Sequence, residues 1–225
     1  IRGKAAFSGK NEVTIIMPPD GIGQTGAGAA ARTPVVRQFD AAVLAAGTRP
    51  GFPPPFAEFK DQLMDSDRIF DMPRLPRSIL IVGGGVIGLE FACFFNAMGV
   101  DTGVLELLPD ILAGEDPQVT RVLRSSFEKR GVKFHLGKKA ARLEISGGLK
   151  TVTLEDGSRL EAEEILVGAG RIADLSGLGL ETIGLEWDRK GVKVNEFMRA
   201  AENIYAVGDI NGLSPLAHSA SRQGE

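Results

Sequence analysis

Residues 78–106, which read SILIVGGGVIGLEFACFFNAMGVDTGVLE, decide the fold of this chain. The short apolar run Ser78–Val82 predicts a buried strand, and the apolar run Val86–Met98 predicts a helix that stops at Gly99. A second strand is expected over Asp101–Leu107. Strand, helix and strand in this order predict two parallel strands joined by a right-handed helical crossover.

A glycine-rich turn joins the first strand to the helix, and it reads Gly83-Gly84-Gly85-Val86-Ile87-Gly88, a G-x-G-x-x-G pattern. In a dinucleotide-binding turn the first glycine permits the bend, the second lets the backbone approach a pyrophosphate, and the third lets the helix pack closely on the strand. Free N–H groups at the start of the helix favour an anion. The sequence therefore predicts a pyrophosphate site formed by Gly83, Gly85, Val86, Ile87 and Gly88. A glycine-rich turn without a ligand is the alternative.

The choice between NAD and NADP depends on Glu106, which ends the second strand about 20 residues after Gly85. A carboxylate at this position can accept both hydroxyl groups of an adenosine ribose, and it would repel a 2′-phosphate. The segment Leu105–Pro109 contains no arginine or lysine that could bind such a phosphate. The pattern predicts NAD, and a solvated glutamate at the end of a strand is the alternative.

Three further residues have two interpretations each. Glu90, two residues after Gly88, either interacts with the helix N-terminus or projects toward a nicotinamide ring at the carboxyl edge of the sheet. Asp209 follows the apolar strand Ile204–Val207, where it could bind a sugar-like hydroxyl or cap the next segment, and the spacing favours a cap. His218 is interpreted as structural or exposed, since a lone histidine seldom forms a site.

The rest of the chain predicts an α/β fold, with a three-layer Rossmann-like NAD(P)-binding domain that combines a parallel sheet and a β-meander. A helix over Asp116–Arg130 and a strand over Val132–Leu136 extend the parallel sheet, and Glu164–Val167 is predicted as another buried strand. Glycine turns predict hairpins between three short strands, namely Ala140–Ser146, Lys150–Glu155 and Ser158–Glu161.

The two ends of the chain read mainly as β structure, and a proline-rich connection with one short helix, Ser66–Phe70, follows the first of them. A glycine- and alanine-rich loop is predicted at Pro18–Thr33. The predicted strands are Gly3–Ser8, Val13–Met17, Val35–Phe39, Asp40–Ala46, Val192–Val194 and Ile204–Val207.

Composition excludes several classes of partner. The 225 residues carry a net charge of −3, so the chain has no positive electrostatic field that would attract nucleic acid or an anionic membrane surface. No apolar run is long enough for a membrane helix, and no signal peptide opens the chain. The single cysteine, Cys93, fits a reducing, cytoplasmic compartment and is interpreted as a small core residue. The ends at Ile1 and Glu225 lead us to expect a fragment of a longer protein.

Four strings that occur in one order carry a resemblance to a known family: residues 45–50 (AAGTRP), 83–90 (GGGVIGLE), 168–171 (GAGR) and 205–209 (YAVGD). So arranged, they resemble the pyridine-nucleotide disulfide oxidoreductases, flavoproteins with two dinucleotide-binding domains. The closing string, residues 215–220 (PLAHSA), is similar to the dihydrolipoyl dehydrogenase branch of that family.

The resemblance implies a domain organisation. Residues 1–50 and 192–225 would be parts of an FAD-binding domain, residues 51–77 a connection, and residues 78–191 an NAD-binding domain. FAD would contact Gly47, the ribityl-binding Asp209, and Ala217 and His218 near the flavin ring. In the NAD domain, Glu90 would approach the nicotinamide and Gly170 would line the same end of the site.

The resemblance also implies a reaction in the full-length enzyme, which is expected to be a homodimer. A dithiol, either a small molecule or one carried on a lipoyl domain, reduces a cysteine pair, and the electrons reach NAD⁺ through FAD. The family's first dinucleotide-binding unit, its C-x4-C pair and its C-terminal His-x4-Glu pair are missing here, so this chain contains no catalytic residue of its own. We therefore expect weak NAD binding, no stable FAD binding and no turnover of lipoamide.

Other interpretations of the same residues stay open at the level of sequence. The parent protein could be another member of the family, such as a glutathione or mercuric reductase, a soluble transhydrogenase or an NADH oxidase. The chain could also be a non-catalytic NAD-binding module, or a Rossmann-like fold that binds no nucleotide.

Overall fold

The computed structural model describes residues 3–17 and 34–225 of the chain. The chain divides into two compact units: Pro50–Arg171 forms one, and Ile1–Arg49 together with Ile172–Glu225 forms the other. The loop predicted at Pro18–Thr33 lies outside the described residues.

The unit that contains both ends of the chain starts with a three-stranded antiparallel sheet, in the order β1-β2-β3. Its next strand, β4, pairs in parallel with a strand from the C-terminal part of the chain. The bounds are β1 Lys4–Gly9, β2 Glu12–Ile16, β3 Val35–Gln38, β4 Ala42–Leu44 and β5 Thr48–Pro50.

The unit Pro50–Arg171 is built on a parallel sheet of five strands, in the order β6-β13-β7-β8-β9, beside an antiparallel meander, β10-β11-β12. Helix α1 connects β7 to β8, and α2 connects β8 to β9. The bounds are β6 Met64–Asp65, β7 Ser78–Val82, α1 Val86–Ala97, β8 Asp101–Leu105, α2 Pro117–Lys129, β9 Lys133–His135, β10 Ala140–Ser146, β11 Leu149–Leu154, β12 Arg159–Ala162 and β13 Glu164–Val167.

Alternating side chains of the central strand β7 explain why the unit has three layers. Ile79 and Ile81 face one apolar core, which also contains α1 residues and Phe127 of α2. Leu80 and Val82 face a second core, which contains the meander residues. Because successive side chains of a strand point to opposite faces, an apolar run such as β7 is buried on both sides. The predicted α/β fold, with a parallel sheet between helices and a meander, is confirmed.

Both helices begin and end where the sequence indicates. The Asp116 carboxylate caps α2 by accepting the Gln118 N–H at 2.7 Å, and Pro117 occupies the first helical position, where its missing N–H costs nothing. Gly99 and Gly131, just beyond the two helices, have positive φ angles of 79° and 93°, which glycine adopts without strain.

The returning segment completes the first unit with short strands and a C-terminal helix. Strand β18 pairs with β17 in antiparallel and with β4 in parallel, and its buried residues share a core with Phe7 and Leu180. The bounds are β14 Arg171–Ala173, which pairs with β5, then β15 Trp187–Asp188, β16 Gly191–Val192, β17 Arg199–Ala201, β18 Ile204–Ala206 and α3 Ala217–Gly224.

The compact units differ from the predicted domain boundaries in two segments. Residues 51–77, predicted as a connection, include a 3₁₀ helix, Phe56–Gln62, whose Phe56 is 1% exposed in the meander-side core. Residues 172–191, predicted as part of the NAD domain, instead bury Leu180 and Leu185 in the core of the other unit. The short predicted helix Ser66–Phe70 is a single 3₁₀ turn at Ile69–Asp71.

Glu163 gives the unit Pro50–Arg171 a stability that depends on pH. Its carboxylate accepts the Arg77 backbone N–H at 2.8 Å and also binds the Arg74 guanidinium, and these contacts lower the pKa of Glu163 to about 2 from its usual 4.5. A carboxyl group whose pKa is lower in the folded state stabilises the fold above its unfolded pKa and loses that contribution as the pH falls through the folded pKa.

We therefore expect Glu163→Gln to be less stable than wild type above about pH 4.5, and the difference to vanish between about pH 4.5 and about pH 2. Urea unfolding of both proteins over that range measures it. A difference in unfolding free energy that stays constant with pH would contradict this assignment.

Candidate functional site

The candidate site of the unit Pro50–Arg171 lies at the carboxyl edge of its parallel sheet. Strand pairing aligns Val167 with Val82 and Val82 with Leu105, which are the last residues of β13, β7 and β8. The residues that follow these three strands therefore meet at one edge. They are Gly168, Gly83 and Glu106.

Two glycines of the G-x-G-x-x-G turn are required by close backbone packing. A Cβ atom at Gly88 would lie 2.0 Å from the Gly83 carbonyl oxygen, and one at Gly83 would lie 2.6 Å from the Gly168 carbonyl oxygen. Gly83 also has a φ of 114°, which strains any other residue. These contacts hold the start of α1 against the ends of β7 and β13.

Gly85 is different, because a Cβ atom at this position would meet nothing within 4 Å. Gly85 is exposed and is the N-cap of α1, so the cap residue has no side chain that could bind the first N–H groups. The first N–H groups of α1 have no partner within the helix, and they carry the partial positive charge of a helix N-terminus. Of the three motif glycines, Gly85 is the one that close packing does not require. The open space beside it suits the binding of a pyrophosphate, at a site that includes Val86 and Ile87.

The Glu106 carboxylate is already oriented by two backbone hydrogen bonds. Its Oε2 atom accepts the Gly84 N–H at 2.5 Å, and its Oε1 atom accepts the Leu108 N–H at 2.7 Å. Each carboxylate oxygen has two lone pairs, so each can still accept one hydroxyl group. The two hydrogen bonds place the ribose-binding candidate directly beside the glycine turn.

The surroundings of Glu106 offer little positive charge. His135, whose backbone oxygen accepts the Glu106 N–H, has its pKa lowered by burial and by the nearby Lys133 and Lys138, so it is neutral at neutral pH. The ammonium of Lys133 binds Asp101 at 2.7 Å, and that of Lys138 binds Asp156. This arrangement is unfavourable for a 2′-phosphate.

The two residues expected near the nicotinamide lie farther along the same elements. Glu90 is exposed in the second turn of α1. Gly170, two residues after Gly168, has a φ of 111° and open space around the position of a Cβ atom, and its carbonyl accepts the Gly51 N–H at 3.0 Å. Both residues are accessible to a ligand.

In the other unit, parallel strands β4 and β18 bring two of the expected FAD residues to one sheet edge. Gly47, with a φ of 70°, follows β4, and Asp209 follows β18. The Asp209 carboxylate accepts the Thr48 hydroxyl at 3.3 Å. Asp209 lies inside the 3₁₀ helix Gly208–Asn211, whose N-cap is Val207, so the interpretation of Asp209 as a cap was wrong.

The other two expected FAD residues, Ala217 and His218, are exposed at the start of α3, which the sequence did not predict. A buried amide network fixes this helix. The Asn211 side-chain amide donates to the Ala206 carbonyl at 3.0 Å and to Gln223 Oε1 at 2.8 Å. Neither amide was singled out from sequence, because nothing in the local pattern distinguishes them.

Sequence reasoning also omitted two glycines that border the candidate site of the unit Pro50–Arg171. The Gly84 N–H orients Glu106, and Gly168 packs against Gly83 and Gly88. A partial signal existed for Gly168, since it directly follows an apolar run that reads as a buried strand. Cys93, interpreted as a core residue, is exposed on α1, where its sulfur lies 3.9 Å from Arg130 Nη1.

Comparison with known proteins places this geometry in a family. Residues 11–224 match the family model described as pyridine nucleotide-disulphide oxidoreductase. The chain belongs to this family. The assignment accounts for the ordered glycine motifs and for the parallel sheet, and the predicted family is confirmed.

Individual relatives within the pyridine nucleotide-disulphide oxidoreductases agree with this assignment. Dihydrolipoyl dehydrogenase of Chlamydia muridarum is 35% identical over 85% of this chain and 42% of its own length. A soluble pyridine nucleotide transhydrogenase of Mycobacterium tuberculosis is 34% identical over 82% of this chain and 40% of its own length. The crystal structure of LpdA from M. tuberculosis is 29% identical, with a TM-score of 0.83 over 99% of this chain and 47% of that one. The chain therefore spans less than half the length of these relatives.

Within residues 3–17 and 34–225, no group of three or more histidine, cysteine, aspartate or glutamate side chains is arranged to hold a metal ion. Helices long and apolar enough to cross a membrane were not found in the same residues.

Proposed function

We propose that the unit Pro50–Arg171 binds NAD(H). The pyrophosphate lies on the N-terminus of α1 at Gly85, Val86, Ile87 and Gly88, and the adenosine ribose lies on Glu106. The observation that carries the proposal is the pairing of open space at Gly85 with a carboxylate fixed beside it by the Gly84 N–H. Glu90 and Gly170 are at the nicotinamide end of this site.

The preference for NAD over NADP rests on charge. Glu106 would repel a 2′-phosphate dianion, His135 is neutral, and Lys138 is paired with Asp156. A bound NAD⁺ needs no positive charge beside its ribose, because both ribose hydroxyls are neutral donors to the carboxylate.

We further propose that the longer protein is an FAD-dependent dithiol–disulfide oxidoreductase of the dihydrolipoyl dehydrogenase type, cytoplasmic and homodimeric. Four residues are suited to form part of the flavin site, because all of them are half-buried or exposed. Gly47 and Asp209 follow parallel strands, and Ala217 and His218 start a helix. When bound, FAD passes electrons between the dithiol and the nicotinamide. The substrate is a small dithiol or a lipoyl group on a partner domain.

Soluble transhydrogenase is the second candidate for the longer protein, because a relative of that name is almost as similar as the dihydrolipoyl dehydrogenases. A cysteine pair spaced C-x4-C in the longer sequence, with activity toward dihydrolipoamide, favours the first candidate. Transfer between NADH and NADP⁺ without a dithiol favours the second.

The first test is a titration of the purified chain with NADH and with NADPH, followed by nicotinamide fluorescence. We expect saturable binding of NADH and an affinity for NADPH at least about tenfold lower, since the 2′-phosphate meets Glu106. Absence of saturable NADH binding by a folded chain would contradict the proposal. Equal affinities would contradict the assignment of Glu106.

The second test concerns turnover. This sequence contains one cysteine, and a dithiol–disulfide cycle needs two. We expect no oxidation of dihydrolipoamide by this chain, and no flavin absorbance that survives gel filtration after incubation with FAD. The longer protein, assayed in parallel, should oxidise dihydrolipoamide and retain flavin absorbance through gel filtration. Retention of flavin by the chain alone would show that its FAD site is more complete than we propose.

A further inference from the structure

Lys138 lies beside the candidate ribose site although it is distant from Glu106 in the sequence. Its backbone N–H donates to the Glu106 carbonyl at 3.1 Å, and the neighbouring Gly137 N–H donates to the Leu108 carbonyl at 2.8 Å. The segment after β9 therefore runs along the segment after β8, which carries the ribose-binding carboxylate. The Lys138 side chain thus starts from backbone that is hydrogen-bonded to the backbone of Glu106.

The ammonium group of Lys138 is engaged elsewhere in this structure. It binds the Asp156 carboxylate, which lies in the turn between β11 and β12. Asp156 is itself fixed, because its Oδ1 atom accepts the Ser158 hydroxyl at 2.5 Å and the Ser158 N–H at 3.0 Å. Hydrogen bonds from Lys138 and Ser158 hold the pKa of Asp156 below its usual range, so the carboxylate is charged at neutral pH.

We propose that Asp156 is a specificity-determining residue, which holds Lys138 away from the adenosine 2′ position and so helps to exclude NADP(H). This inference rests on the proposed NAD(H) site. Glu106 and Asp156 carry two negative charges against the single positive charge of Lys138, so these three residues together are net negative. Without the Asp156 charge, Lys138 is free to form a charge-assisted hydrogen bond with a phosphate.

The neighbouring cations do not replace Lys138, because each has its own partner. Lys133 is paired with Asp101, and Lys139 binds Glu155 at 2.6 Å. The pair formed by Lys138 and Asp156 is itself about half exposed, at 44% and 42% of the side-chain surface, so it is weak and a single substitution can release the lysine.

The test compares NADPH and NADH affinities of three variants by nicotinamide fluorescence. Glu106→Ala removes the direct repulsion. Adding Asp156→Asn removes the partner of Lys138 but keeps an oxygen that can accept the Ser158 N–H. We expect the double variant to bind NADPH about fivefold more tightly than Glu106→Ala does, with a steeper dependence on salt. Adding Lys138→Ala as a third change should abolish that gain.

Glu155→Gln provides the matched control in the Glu106→Ala background. It removes one negative charge from the same turn, but its partner is Lys139 rather than Lys138. The ratio of NADPH to NADH affinity should stay within about twofold of that of Glu106→Ala alone, since a general change of charge is screened at moderate salt.

The outcomes separate this inference from the proposed function. Two results overturn the inference while the NAD site stands, provided that wild type binds NADH. In the first, Asp156→Asn in the Glu106→Ala background gives no gain in NADPH affinity. In the second, that gain survives the further change Lys138→Ala. If Glu155→Gln gives the same gain, the effect is one of net charge and the inference is also overturned. If folded wild type binds neither nucleotide, the proposed function itself fails.

Discussion

Gly88→Ala is expected to lower the free energy of unfolding by about 3 kcal/mol, because a methyl group at this position clashes with backbone. The added Cβ atom would lie 2.0 Å from the Gly83 carbonyl oxygen and 3.3 Å from Ile81 Cγ2. Alanine gains about 1 kcal/mol of helix propensity over glycine, but this gain is smaller than the clash, because a backbone oxygen cannot rotate away. Urea unfolding measures the loss, and NADH binding should weaken as α1 shifts.

Gly85→Ala is the matched control for this prediction. Its Cβ atom would enter open space, and the φ of −79° at Gly85 is allowed for alanine, so we expect stability within about 1 kcal/mol of wild type. NADH affinity should nevertheless fall about tenfold or more, because the methyl group occupies the path of the pyrophosphate. A Gly88→Ala protein as stable as Gly85→Ala would contradict the packing argument.

Glu106→Ala should weaken NADH binding by about 1–3 kcal/mol, which is about 5- to 150-fold. The change removes the proposed acceptor of both ribose hydroxyls and leaves the Gly84 and Leu108 N–H groups without the carboxylate they bind. The second effect also loosens the glycine turn, so the loss should exceed that of a single hydrogen bond. Isothermal titration with NADH measures it.

Two comparisons make the Glu106 prediction specific. Glu161→Ala removes an exposed carboxylate from the meander of the same unit and should leave NADH affinity unchanged. Glu106→Gln keeps an oxygen acceptor and should lose less affinity than Glu106→Ala. An affinity that stays at the wild-type value in Glu106→Ala would show that the ribose does not lie on this residue.

The parallel core of the fold was predictable because its signals are local. Strand β7 is a short apolar run bounded by charged and glycine residues, α2 has an aspartate cap with proline behind it, and Gly99 and Gly131 end the helices. The G-x-G-x-x-G turn and Glu106 were predictable for the same reason, since the motif and the acidic residue lie in one βαβ unit.

What escaped prediction depends on contacts between distant segments. Two contacts follow from the strand order β13-β7-β8-β9, which local patterns do not give. They are the packing of Gly168 on Gly88 and the backbone hydrogen bond from Lys138 to Glu106. Phe56 was assigned to a connection because prolines surround it, yet the second core buries it completely. The exposure of Cys93 could not be read from a helix that is apolar on most of its surface.

The packing of Gly168 against the glycine turn also has a consequence for how the protein is made. Strand β13 is the last strand of the sheet to be synthesised, although it lies next to β7, which precedes α1. On a translating ribosome, the turn proposed to bind the pyrophosphate therefore lacks its packing against Gly168 until residue 168 has emerged. A nascent chain that ends after β12 already contains every residue that is predicted to contact the pyrophosphate and the ribose. We expect it to acquire NADH affinity only when this late, non-local strand docks.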